Sequence, residues 1–277
     1  MMKNTNDVFK DTKFTRGIEG MYMTPDVIMQ REKSFQMLGL SNGEKVLDIG
    51  VGPGFLSAAM GTMVGSEGEV YGIDMSEDML GMAKMRCNDK PWVHIKAGNA
   101  IKLPFEAESF DAIMASQVYE LVSDVNEALN EMHRVLRKNG RALILDSDWD
   151  SLAWHSQDKD LMDKILTSWK THYGDPILPR TLSTKLIKKG FKIEQIEIFP
   201  ILNLKLTSNN FSYWLVKLIN DLVPGRKGVT KEDVELWTKK LYDLDSKGEY
   251  FLILSSFLCK FFLFLKNGKS AVLKTSL

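Results

Sequence analysis

The stretch Val46-Leu47-Asp48-Ile49-Gly50-Val51-Gly52-Pro53-Gly54 decides how the chain is read. A short apolar run, 45–49, enters a turn with glycine at alternate positions, and 55–64 then reads as a helix. Glycine lets the backbone turn sharply and approach a ligand with no Cβ in the way. The start of the helix adds N–H groups with no intrahelical partner.

Working outward, the same alternation recurs. Strands are expected at 69–73, 92–96, 110–115 and 141–145. A helix follows Ser76, with Met79, Leu80 and Ala83 on one face, and another covers 125–136. Strand and helix in turn imply βαβ units and a mostly parallel sheet covered on both faces. Upstream, 25–38 reads as an amphipathic helix with Thr24 as N-cap and Pro25 at its first position. Downstream of Asp146 the pattern turns to long helices rich in tryptophan, with strands expected at 185–199 and 249–265. The expected organisation is an N-terminal helical lid (1–40), a ligand-binding core (41–150), and a C-terminal part (151–277) supplying cap helices and the last strands.

In such sheets the ligand lies beyond the carboxyl ends of the strands, where the polar candidates fall. A dinucleotide loop reads G-x-G-x-x-G and seats a pyrophosphate on the helix. Here the spacing is G-x-G-x-G, through Gly50, Gly52 and Gly54, and Phe55 in the sixth position crowds the helix–strand packing. Asp48 would repel a pyrophosphate but suits the cationic amino-acid end of S-adenosylmethionine (SAM). Asp74, ending the second strand before Met75, can accept hydrogen bonds from ribose hydroxyls of either cofactor. Asn99 and Ala100 offer a side-chain carbonyl and a backbone N–H to an adenine edge. Ser116 and Gln117 open the fourth strand above the glycine loop.

Taken together, 45–54, 71–76, 97–105 and 110–121 resemble the four motifs of the class I SAM-dependent methyltransferases. EMHRVLRKNGRALIL (131–145) is similar to the helix–turn–strand that follows them. The style is that of the small-molecule branch that includes ubiquinone- and menaquinone-biosynthesis enzymes. The paired cysteines of arsenite methyltransferases are missing, because Cys87 and Cys259 lie on unrelated elements. The resemblance implies a Rossmann-like, doubly wound α/β fold whose seven-stranded sheet has one antiparallel strand. It also implies methyl transfer from SAM, with S-adenosylhomocysteine as product, to an oxygen, nitrogen or carbon atom of a small molecule. Tyr22 is expected to close over the cofactor and Arg31 to reach its carboxylate. Tyr119 and His155 are the acceptor-side candidates, His155 as general base. The aromatic residues of 149–214 are read either as an apolar acceptor pocket or as the core of a helical cap. Asp146, Asp148 and Asp150 are read as a polar loop, and no metal is expected.

Charge and composition leave other classes less room. The formal net charge is zero, but 1–150 carries 16 Lys and Arg against 23 Asp and Glu, and 151–277 carries 20 against 13. An acidic cofactor half disfavours RNA, although the basic half keeps a protein or RNA methyltransferase as an alternative beside a non-catalytic binding protein. Two cysteines give no disulfide framework and suit reduced, buried thiols. The polar N-terminus lacks a secretory h-region. The apolar run 251–265 contains Lys260 and is too short to span a bilayer. A cytoplasmic protein is expected, and a homodimer is compatible with the sequence.

Overall fold

The computed structural model describes residues 12–263. Helices α1 (Thr12–Tyr22) and α2 (Pro25–Leu38) lead into β1 (Lys45–Ile49), α3 (Phe55–Val64), β2 (Glu69–Asp74), α4 (Glu77–Arg86), β3 (Val93–Ala97) and β4 (Phe110–Ser116). A 3-10 turn (Tyr119–Leu121), α5 (Val125–Val135) and β5 (Leu136–Trp154) follow. Then come α6 (Lys159–Lys170), α7 (Pro179–Lys188), β6 (Phe191–Asn203), α8 (Phe211–Leu222), α9 (Lys231–Ser246) and β7 (Leu252–Leu263).

The strands form one seven-stranded sheet in the order β3-β2-β1-β4-β5-β7-β6. The pairs from β3 through to β5 are parallel, while β7 runs antiparallel to both β5 and β6. This is the expected doubly wound arrangement with one antiparallel strand. The order reverses direction between β1 and β4, which opens the crevice at their carboxyl ends.

Period-two alternation along the strands sorts the core. Leu47, Ile49, Ile113, Ala115, Ala142 and Ile144 pack on one face with Leu129 of α5 and Leu182 of α7. Val46, Ala112, Met114, Leu143 and Leu145 pack on the other with Phe35 of α2 and Met60 of α3. Asp48 has the parity of the second face, so its carboxylate points toward α3.

A third cluster lies beyond the sheet. Trp149, Trp154, Trp169 and Trp237 are buried there with Ile165, Leu215 and Leu241 from α6, α8 and α9. Edge-on contacts, such as Trp149–Trp169 at 5.6 Å and Trp154–Trp237 at 5.2 Å between ring centroids, fill it. Of the two readings of these aromatic residues, the structure favours the core of the helical cap.

Several expectations shift. The fifth strand begins at Leu136, directly after α5, and continues through a bulge to Trp154. The apolar run after Phe251 is a single strand, and Phe264, Leu265 and the lysines beyond lie outside the described residues. Both cysteines are free and buried. Among the described residues no helix is long and apolar enough to cross a membrane.

Candidate functional site

The glycine loop adopts backbone that only glycine takes easily. Gly50, Gly52 and Gly54 have φ of 75°, 51° and 86°. A Cβ on Gly54 would stand 2.7 Å from the Ala83 backbone, which is how closely α4 packs against the loop. Gly52 differs, since the nearest atom to its would-be Cβ is the Tyr22 hydroxyl at 3.9 Å. The middle of the loop therefore faces open space, with Tyr22 above it.

Beneath the loop, Asp48 is fully buried. Its Oδ2 accepts a 2.6 Å hydrogen bond from the Ser57 hydroxyl on the first turn of α3. Its Oδ1 is buried with no partner among the described residues. Burial pushes the carboxyl pKa up to about 7, against the Ser57 hydrogen bond and with Asp74 adding repulsion. A buried carboxylate lacking a cation is costly, and a cationic ligand group would relieve it.

Asp74 ends β2 and braces the loop. Its Oδ2 accepts from the Gly52 N–H and its Oδ1 from the Ser76 N–H, each at 2.9 Å. Each oxygen keeps a second lone pair for a ligand. The Gly98 N–H bonds the Asp74 carbonyl at 3.0 Å, tying the β3 turn to the same corner. There Asn99 turns its Oδ1 onto the Ile101 N–H at 3.1 Å. Met75 is exposed and Ala100 is buried. Ser116 and Gln117 follow β4, with Gln117 at φ 57° and its Oε1 accepting from the Ser147 hydroxyl at 3.1 Å.

The N-terminal residues close over this corner. Tyr22 ends α1, a helix the sequence reading did not assign, and its ring stacks on Phe55 at 5.8 Å. Burial, with Asp48 and Asp74 nearby, holds its hydroxyl far above the usual phenol range. Arg31 lies over the Phe55 ring at 5.1 Å and donates to the Tyr22 carbonyl at 3.3 Å. Arg86 was not anticipated either. Its guanidinium sits 3.6 Å from the Phe55 ring centre, bonds the Pro53 carbonyl, and pairs with Glu19 of α1 at 2.5 Å.

Two acceptor-side candidates are corrected. Tyr119 is fully buried and its hydroxyl donates to the Ala128 carbonyl at 3.3 Å, because the 3-10 turn aims it into α5. His155 is exposed at the far end of β5. Its neighbour Trp154 pairs with Leu252 whereas Ser147 pairs with Ser256, so about 13 Å of strand separates them at ~3.3 Å per residue.

The three aspartates read as a polar loop lie instead within the long β5, and they part company. Asp148 accepts from Arg180 at 2.8 Å and Asp150 from Lys170 at 2.7 Å. Asp146 turns inward beside Glu120, a buried acid that no pattern in the sequence singled out.

Comparisons with known proteins bear on this geometry. Residues 47–144 match the family model described as a methyltransferase domain. That match covers about a third of the chain. The domain is 37% identical over 119 residues to 2-phytyl-1,4-naphtoquinone methyltransferase of Trichormus variabilis, covering 42% of this chain and 52% of that one. It is 37% identical over 122 residues to demethylmenaquinone methyltransferase of Staphylococcus aureus, covering 44% and 51%. The chain thus spans about half the length of these curated relatives. Among solved structures, a putative methyltransferase from Bacillus halodurans has a TM-score of 0.64 at 18% identity, covering 86% of this chain and all of that one. Haemonchus contortus phosphoethanolamine N-methyltransferase 2 has a TM-score of 0.61 at 18% identity, covering 95% and 61%.

Proposed function

We propose that this chain transfers a methyl group from SAM to an oxygen, nitrogen or carbon atom of a small molecule. One observation carries the reading: Asp48 lies buried beneath a glycine loop with one oxygen unpartnered. The donor's ammonium supplies the cation that this oxygen lacks. The open face of Gly52 leaves room for the donor's backbone atoms, and the spare lone pairs of Asp74 suit ribose hydroxyls. Asn99, Ala100 and Met75 stand where an adenine would lie. Ser116 and Gln117 would face the sulfur, and Arg31 would face the donor's carboxylate.

Bound SAM brings an activated methyl group. The protein's part is to align the acceptor behind that methyl and to exclude water, which can supply about 7–11 kcal/mol of a barrier. Tyr22 and the helix that bears it close the crevice from above. The quinone-methylating relatives support a small-molecule acceptor, and they do not identify it.

Calorimetry with SAM, S-adenosylhomocysteine and NAD(H) tests the reading. SAM and S-adenosylhomocysteine are expected to bind and NAD(H) is not; binding of NAD(H) alone would overturn it. Donor binding without turnover over a broad acceptor panel would favour a non-catalytic role.

A further inference from the structure

Glu120, in the turn after β4, and Asp146, midway along β5, lie together, each 1% exposed. The Ser147 N–H donates to Glu120 Oε2 at 2.9 Å, and the Val118 N–H donates to Asp146 Oδ1 at 3.0 Å. Asp146 Oδ2 is buried with no partner among the described residues. The Trp149 indole lies against the Glu120 carboxyl, and the Tyr173 and Tyr22 hydroxyls feel its charge. None of these neighbours is a cation. The nearby Asp148 already has its own partner in Arg180.

Two neighbouring buried carboxyls without a countercharge cannot both ionise cheaply. Burial drives Glu120 up to about 8, and burial with Glu120 beside it holds Asp146 well above the carboxylate range. Ser147 ties the pair to the crevice, its N–H donating to Glu120 Oε2 and its hydroxyl donating to Gln117 Oε1 at 3.1 Å. An acceptor that meets the methyl beside Gln117 would lie next to this pair.

We propose that the Glu120–Asp146 pair is the proton acceptor of the methyl-transfer site and selects acceptors that arrive protonated, as a hydroxyl or an amine. This rests on the reading of the crevice as a SAM site. A lone pair of the acceptor forms the bond to the methyl carbon. The carbon–sulfur bond breaks with its electrons staying on sulfur, and the acceptor's proton passes to the carboxylate of the pair. That proton leaves to solvent when α1 lifts.

The test begins with the carboxyl carbons of the full chain, followed by NMR as pH is varied in saturating S-adenosylhomocysteine. Glu120 and Asp146 are expected to titrate in two linked steps, the upper one above pH 7. In Glu120→Gln one step vanishes and Asp146 titrates lower than in the wild type, with burial still holding it above the ordinary carboxylate range. The second arm uses a phenol, protonated at pH 7.5, and a thiophenol of the same shape, largely ionised there. Glu120→Gln should slow phenol methylation by roughly 10²–10⁴-fold and leave thiophenol methylation nearly unchanged. Equal losses on both probes, or no loss on either, would overturn the proposal. If the wild type uses neither probe, the titration decides: two carboxyls that ionise independently below pH 5 are not a linked pair able to hold the acceptor's proton at neutral pH, and the proposal falls. Unaltered S-adenosylhomocysteine affinity in Glu120→Gln separates this outcome from failure of the SAM reading itself.

Discussion

Replacing Asp48 with asparagine should make the unliganded protein more stable and the site worse. The Asp48 carboxyl titrates near 3.8 when free and is raised to about 7 in the fold. Between those values the native state holds a proton that the unfolded chain has lost, so stability falls as pH rises. Each pKa unit corresponds to about 1.4 kcal/mol, so the full cost above pH 7 is about 4 kcal/mol. Asparagine carries no charge and can still accept from the Ser57 hydroxyl. The stability difference between Asp48→Asn and wild type should therefore grow by about 3 kcal/mol between pH 5 and pH 8. Urea unfolding at both pH values, without ligand, measures it. Saturating S-adenosylhomocysteine should reverse the ranking at pH 8, since its ammonium restores the missing countercharge in wild type alone. Parallel pH profiles for the two proteins would refute the argument, because a charge penalty at Asp48 cannot be present and leave the difference flat.

Three further outcomes follow from named contacts. Asp74→Ala should weaken SAM binding at least roughly tenfold by calorimetry, through loss of an acceptor and of the brace on Gly52. Gly54→Ala combines a positive φ with a Cβ 2.7 Å from the Ala83 backbone, and should cost about 3 kcal/mol or more in chemical denaturation. Arg86→Ala frees Glu19 and uncovers the Phe55 ring, and hydrogen exchange over residues 17–22 should speed up while the sheet core stays protected.

The parts of the fold written in local pattern could be read without coordinates. Alternate glycines after 45–49 and the apolar strands at regular spacing dictate the sheet, and Asp48 and Asp74 declare themselves by standing at strand ends. What escaped depends on long-range pairing. His155 looked poised beside Trp154, yet β5 runs on opposite β7 and carries it out of the crevice. Tyr119 follows β4 as expected, but one tight turn aims it into the core. Glu120 lies in an irregular stretch where no periodicity marks an inward side chain. Only the packing of that turn against the middle of β5 buries it beside Asp146. The tryptophans of the C-terminal half were ambiguous because a packed cap and a binding pocket use the same side chains.

One guanidinium touches the floor and the roof of the crevice together. Arg86 holds a carbonyl of the glycine turn, the ring on which Tyr22 rests, and an acid of the roof helix. Raising the roof thus tugs on the floor, and a donor that settles the floor also steadies the roof.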